Sequence, residues 1–361
     1  MKISWVKWLD YILKCRVCKV EYSDMHRYQA CGSCGGNLEV VYTERPRFKK
    51  SNGERFWNYE YLLPKARYRH TELGGTKLIN SIDDERLFLK LEIENPTRSF
   101  KDRGSIVEIA KAKEYGYETI VCASTGNMAY SLAYYAKLEG IRARIFIGGR
   151  ASKHKVRNIK ELKDSDIERV DGDFNKALDL AYKYAARHKA FLAGDYCYRK
   201  EGQKTLVYEI MDQLHDTTHI IVPVGNATLL SGIFKGLREM RQAGHIKKFP
   251  KIIAVQASKC SPLVKAFTNG NKIKYQKPMT AADAIAVGYP TFGDDALGML
   301  RLYKGMAIAV SEAEMLKEQK RFLEDYGLVA ELASVSTIAA YKKLELKENE
   351  KAVAIISGGN V

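Results

Sequence analysis

The sequence predicts an α/β protein of two lobes with parallel-rich sheets, preceded by a small N-terminal ribbon, and three observations carry that prediction. A chain of 361 residues is long for one hydrophobic core, so two packed lobes plus a small module suit it better. From Arg86 onward, short apolar runs alternate with helix-like stretches, the pattern of layered strands and helices. Ahead of them, Cys15, Cys18, Cys31 and Cys34 form two C-x-x-C pairs.

The totals narrow the class. A composition of 46% hydrophobic and 28% charged residues is that of a globular protein. No apolar run approaches the roughly 20 residues of a membrane span, and Met1 to Asp10 lacks a signal-peptide core, so a cytoplasmic location with no membrane partner is expected. The net charge is +16, from 59 basic and 43 acidic residues. Because the basic residues are scattered along helical faces, the charge is read as a solvated surface that attracts small anions, and no nucleic-acid partner is expected. Cys122, Cys197 and Cys260 stand alone in apolar surroundings and read as small core residues.

Residues 15 to 42 come first. Each C-x-x-C turn presents two thiolates to one side, so the two knuckles can close a tetrahedral site. Four sulfur ligands leave no open position, which makes the expected zinc structural. Such ribbons also occur in nucleic-acid-binding proteins, which supplies a remote alternative in which the charge is the function. The stretch from Thr43 to Asn80 is basic and irregular and reads as a linker into the main body.

The run Arg86 to Leu91, with Leu87, Leu89 and Leu91 on one face, predicts a strand, and Ser105 to Tyr115 predicts a helix. Between them lies Glu94-Asn95-Pro96-Thr97-Arg98-Ser99-Phe100-Lys101-Asp102-Arg103-Gly104. Pro96 stops the strand and Ser99 is a candidate N-cap, which puts Lys101 in the first helical turn. Desolvation and the neighbouring cations Arg98 and Arg103 favour the neutral amine that a Schiff-base lysine needs.

Alternation then continues. Strands are expected at Thr119 to Ala123, Ala143 to Ile147, Ile167 to Val170, His219 to Val224, Ile252 to Gln256 and Ala352 to Ile356. Helices are expected at Met128 to Glu139, Lys153 to Leu162, Phe174 to Arg187, Gln203 to Leu214 and Leu229 to Met240. Three loops between them carry polar chemistry. Ser124-Thr125-Gly126-Asn127 offers hydroxyls and helix-start N–H groups to a carboxylate or phosphate. In Val224-Gly225-Asn226-Ala227-Thr228, small residues let the backbone approach a phosphate and Thr228 adds a donor. Its spacing matches neither a Walker loop nor a dinucleotide fingerprint. The third is the terminal turn Ser357-Gly358-Gly359-Asn360-Val361.

Together the ENPT-x-SFKDRG block, the ASTGN loop, Tyr198-Arg199-Lys200-Glu201-Gly202-Gln203-Lys204-Thr205, the PVGNA loop and the SGGN turn resemble the fold type II enzymes that use pyridoxal phosphate. Within that family the resemblance is to threonine synthases that carry an N-terminal zinc ribbon, and it covers nearly the whole chain. It implies a ribbon at 1–44, a large cofactor-binding lobe at 45–90 and 196–361, and a smaller mobile lobe at 91–195. Lys101 would carry the cofactor and move protons between carbons. Asn127 would bond the cofactor's phenolic oxygen, Gly225, Asn226, Ala227 and Thr228 would hold its phosphate, and Ser357 would meet the ring nitrogen. Ser124 and Thr125 would take the substrate's α-carboxylate, and Arg199 its phosphate. The resemblance further implies a homodimer and a small phosphorylated amino-acid substrate: O-phosphohomoserine and water would give threonine and phosphate.

Some positions depart from the family pattern. Met128, Leu229 and Gly194 stand where threonine, asparagine and serine are usual, each without a side-chain donor for a phosphate. Arg98 stands where glycine is common, and SGGN is closer to the amino-acid dehydratases than to threonine synthases. These departures motivate an alternative that acts at the β-carbon, a serine or threonine dehydratase or a β-replacement enzyme such as cysteate synthase.

Overall fold

The computed structural model describes residues 9–26, 30–48, 54–69, 71–124, 126–148, 153–162, 165–172 and 174–360. In chain order the ribbon holds β1 (Tyr11–Cys15), β2 (Glu21–Ser23) and β3 (Leu38–Tyr42). After β4 (Leu78–Asn80) and β5 (Leu87–Leu91) come α1 (Lys101–Glu114), β6 (Thr119–Ala123), α2 (Asn127–Glu139) and β7 (Arg142–Gly148). There follow α3 (Lys153–Lys160), β8 (Ser165–Val170), α4 (Phe174–His188), β9 (Phe191–Leu192), α5 (Cys197–Gln203) and α6 (Thr205–Gln213). Next are β10 (His219–Pro223), α7 (Thr228–Gln242), β11 (Lys251–Ala257), α8 (Pro262–Thr268) and α9 (Gly293–Leu302). The chain closes with β12 (Met306–Val310), α10 (Glu312–Tyr326), α11 (Leu332–Tyr341) and β13 (Ala352–Ile356). No described helix is long and apolar enough to cross a membrane.

Contacts divide the chain into two compact units, one of Met1–Leu73 with Lys101–Gln203 and one of Gly74–Phe100 with Lys204–Val361. In the first, β1 pairs antiparallel with both β2 and β3, and its alternate residues Tyr11, Leu13 and Cys15 are buried. A second sheet runs β8-β7-β6-β9, all parallel. The ribbon packs on α1 and α5 rather than standing apart. Tyr42 Oη donates to Glu201 Oε2 at 2.9 Å, Lys200 Nζ lies 3.1 Å from Glu39 Oε1, and Lys111 Nζ sits 4.6–5.5 Å from the ring centres of Tyr11, Tyr115 and Tyr198. Residues 54–69 cluster with this unit, through Phe56, Trp57, Leu63 and Tyr68 in the same apolar core.

The second unit is built on a six-stranded sheet in the order β12-β11-β10-β13-β5-β4, parallel except for β4 on β5. All of β10 and β13 is buried, which explains their unbroken apolar runs: strands covered on both faces need no polar alternation. The expected helix Gln203–Leu214 is α6, preceded by the separate helix α5, which has no apolar period because all seven of its residues are buried. Between Gln256 and Ala352, where the sequence leads to no expected element, lie α8 to α11 and β12. The start of α10 was legible: Ser311 and Glu314 form a capping box, with Glu314 N donating to Ser311 Oγ and Ser311 N to Glu314 Oε2 at 2.6 Å.

Candidate active site

Strands β10, β13 and β5 are parallel neighbours, so their carboxyl ends lie side by side, where open α/β sheets place ligands. This brings together three stretches far apart in sequence: the Gly225–Thr228 loop, the Ser357 turn and the turn that leads to Lys101. The last two are stitched to each other. Phe100 N donates to Ser357 O at 3.0 Å, Gly359 N to Arg98 O at 2.9 Å and Asn360 Nδ2 to Thr97 O at 2.8 Å, with a bridge between Ser99 and Gly358. Asn95 anchors the turn from behind, accepting from Gly74 N and donating to Glu92. Lys101 follows as the half-buried first residue of α1.

Two of the three turns hold non-glycine residues in the left-handed region, Arg98 at φ 58° and Ala227 at φ 61°. Backbone of this kind costs of order 1–2 kcal/mol and concentrates at functional sites. Ala227 is the N-cap of α7 and no side-chain cap bond is made there, which suits an anionic ligand at this helix start. Gly225 is tightly placed, because a Cβ there would stand 2.8 Å from Ala284 O. The Asn226 side chain is held by the next loop, with Oδ1 accepting from Thr291 Oγ1 at 3.2 Å. Thr228 is buried, as is Ser357. Ser99 was a candidate N-cap, but its Oγ is buried without a partner, so it does not cap α1. Ser231 Oγ, in the first turn of α7, is also buried and unpartnered. Orphaned hydroxyls beside two of these turns and an uncapped helix start suit an anionic, hydrogen-bonding cofactor.

In the first unit, Ser124 and Asn127 flank the start of α2, where Gly126 N donates to Ser124 Oγ at 3.3 Å and Asn127 is buried as the first helical residue. Thr125 lies outside the described residues. Met128 and Leu229 are nearly buried and apolar. Arg199 is fully buried on α5. Its guanidinium pairs with Glu108, Nε donates to Gly194 O at 2.9 Å, and Nη1 lies 3.4 Å from Ser105 Oγ. Gly194 N in turn donates to Glu108 Oε1 at 3.0 Å. The arginine expected at a substrate phosphate is thus enclosed by a carboxylate, a carbonyl and a hydroxyl of its own unit. Burial pushes the Glu108 carboxyl up to about 7, against the pull of Arg199.

The four ribbon thiols converge. Their Sγ atoms all lie within 4.8 Å of one another, with Cys15–Cys34 and Cys18–Cys31 at 3.5 Å and no disulfide. A tetrahedral site with metal–sulfur bonds of about 2.3 Å needs sulfur–sulfur edges of about 3.8 Å, so the set fits a metal. Each knuckle is followed by a left-handed residue, Lys19 at φ 66° and Gly35 at φ 69°. Tyr22 Oη, 3.1 Å from Cys31 Sγ, lowers that thiol to about 6, toward the thiolate a metal takes.

Sequence reasoning missed Glu108, Tyr22 and Ser334. Ser334 Oγ lies 3.1 Å from Ser357 Oγ. No motif flags these partners, because each meets its neighbour only through the fold.

Comparison with known proteins shows the family. Residues 70–358 match the family described as pyridoxal-phosphate dependent enzyme. The threonine synthases of Methanosarcina acetivorans and Methanocaldococcus jannaschii are 34% and 35% identical to the chain, each alignment covering 96% of this chain and 91% of the relative. Among solved structures, maize serine racemase superposes with a TM-score of 0.70 at 25% identity, covering 79% of this chain and 88% of that one. A fungal L-serine ammonia-lyase from Rhizomucor miehei, at 22% identity and a TM-score of 0.70, shares the fold over 79% of this chain and 93% of its own. The Lys101 block, the loops at the strand ends and the match across 70–358 make this chain a member of the pyridoxal-phosphate-dependent enzymes of fold type II, of the threonine synthase-like kind.

Proposed function

We propose that the protein is a threonine synthase-type lyase that converts O-phosphohomoserine and water to threonine and phosphate. The observation that carries this reading is the alignment of the carboxyl ends of β10, β13 and β5, which gathers the Gly225–Thr228 loop, Ser357 and the turn before Lys101. When bound, pyridoxal phosphate supplies an electron sink that makes the substrate's α- and β-protons acidic. Lys101 would hold it covalently and carry protons between carbons. The α7 N-terminus with Gly225, Asn226, Ala227 and Thr228 would hold its phosphate, Asn127 its phenolic oxygen and Ser357 its ring nitrogen. A hydroxyl is too weak an acid to protonate that nitrogen, which favours elimination and replacement over transamination. Ser124 and Thr125 would receive the substrate carboxylate. Arg199 would serve the substrate only indirectly, by fixing α1 and α5 through Glu108.

Zinc on Cys15, Cys18, Cys31 and Cys34 would be structural, and a cytoplasmic homodimer is the expected form. The second reading keeps the cofactor and moves the chemistry to the β-carbon of a serine- or threonine-like substrate. It is favoured by the apolar Met128 and Leu229 and by the enclosure of Arg199, which leave fewer donors for a substrate phosphate.

Incubation with O-phosphohomoserine, assayed for free phosphate and threonine, tests the first reading. Both products in equal amounts are expected. Turnover of serine, threonine or phosphoserine with no product from O-phosphohomoserine overturns it in favour of the second.

A further inference from the structure

Ser334, in the first turn of α11 and fully buried, touches the terminal turn at three points. Its Oγ accepts from Gly358 N at 2.8 Å, donates to Gly358 O at 2.7 Å and lies 3.1 Å from Ser357 Oγ. A hydroxyl has one proton and two lone pairs, so not every such contact is satisfied in every state. With the Ser334 proton spent on Gly358 O, the Ser357 proton is left to point at Ser334. The network has a second arrangement. Gly358 O also accepts from Glu331 N at 2.9 Å, so it keeps a partner if the Ser334 proton turns away.

We propose that Ser334 is a positioning residue for Ser357: by turning its proton from Gly358 O to Ser357 Oγ, it frees the Ser357 proton for the ring nitrogen of the bound cofactor. Ser334 then still holds Gly358 N–H with a lone pair, Gly358 O keeps Glu331 N–H, and Ser357 accepts from behind while donating forward. Every buried group has a partner in both arrangements, so the switch leaves no desolvated atom unpaired. Without Ser334, a Ser357 that donates to the ring has lost its own donor, and Gly358 N–H is left buried and unpaired. This rests on the reading of Ser357 as the partner of the ring nitrogen.

Ser336 supplies a matched control. It is on the same helix, equally buried, and its hydroxyl donates to Ala333 O at 2.6 Å. The measurements are pyridoxal-phosphate dissociation constants, visible absorption maxima and kcat and KM for Ser334→Ala, Ser336→Ala, Ser357→Ala and the 334/357 double variant. Ser334→Ala should bind the cofactor about tenfold more weakly, shift the visible band and lower kcat more than it raises KM, whereas Ser336→Ala changes none of these. In the Ser357→Ala background, Ser334→Ala should add little. Equal behaviour of Ser334→Ala and Ser336→Ala, or full additivity with Ser357→Ala, overturns the proposal. If Ser357→Ala itself binds the cofactor normally with an unshifted band, the reading of Ser357 falls instead. Should Ser334→Ala fail to fold, Ser334→Cys takes its place: a cofactor affinity weaker than the parent's supports the relay, and an unchanged one overturns it.

Discussion

Gly202 lies directly against the backbone of Arg103: a Cβ on Gly202 would stand 1.8 Å from the Arg103 carbonyl oxygen. On the facing helix, a Cβ on Gly104 would stand 2.6 Å from Arg199 Cγ. The glycines of FKDRG and EGQKT are therefore one contact, which lets α1 and α5 touch backbone to backbone just behind Lys101. Because backbone atoms cannot swing aside, Gly202→Ala should cost at least about 3 kcal/mol and show as a large fall in Tm or in soluble yield. Gly298→Ala, in α9 with open space around it, should instead gain about 0.5–1 kcal/mol.

Lys101 is the residue proposed to carry the cofactor. Lys101→Ala should fold with an unchanged circular dichroism spectrum, yet borohydride reduction followed by peptide mapping should find no cofactor attached to any lysine. Turnover should fall by several orders of magnitude, beyond the typical effect of one acid–base group.

The Arg199–Glu108 pair predicts a stability effect rather than a simple KM effect. Removing one partner leaves a buried charge alone, so Arg199→Met and Glu108→Leu should each cost about 3–5 kcal/mol, and the double variant less than the sum. Denaturant melts of the three variants form the check.

Glu108 also gives a pH dependence with a defined sign. Its folded pKa of about 7 lies above the ordinary 4.5, so the folded protein binds a proton that the unfolded chain has released. This contribution to stability is present in full below about 4.5 and is lost as pH rises to about 7. Stability curves measured across that window should be flatter for Glu108→Leu than for the parent.

Arg98→Gly removes a side chain from left-handed backbone and should relieve of order 1 kcal/mol of strain, partly offset by the freedom glycine gains in the unfolded chain and by loss of the bond from Arg98 Nε to Gly359 O at 3.3 Å. A rise in Tm checks the strain. The same variant assayed with O-phosphohomoserine and with serine would tell whether the arginine discriminates between substrates.

In the ribbon, Cys31→Ser should lower bound zinc to well below one per chain and reduce Tm, measured by metal analysis and calorimetry, because three thiolates remain and the Tyr22 bond to Cys31 is lost. The loss should extend further, since the ribbon bears on α1 and α5 through Tyr42, Glu39 and Tyr11.

What the sequence determined by itself is the set of local signals. The C-x-x-C pairs, the strand–helix alternation and the turn that puts Lys101 at a helix start depend on residues within a few positions of each other. Apolar period, capping chemistry and glycine placement act at that range. The parallel sheet followed from the same alternation, because strands buried on both faces read as continuous apolar runs.

Tertiary structure decided the rest. Only the strand order β10-β13-β5 brings residue 225 beside residue 357 and the turn at residue 98, and no local pattern encodes that order. Only burial shows that Arg199 spends its charge on Glu108, that Ser99 Oγ caps nothing and that Ser334 stands behind Ser357. A side chain's type states what it can bond, but desolvation and the neighbours a fold supplies determine what it does bond. That is why the lysine's place at a helix start could be read from the chain and the bonds made around it could not.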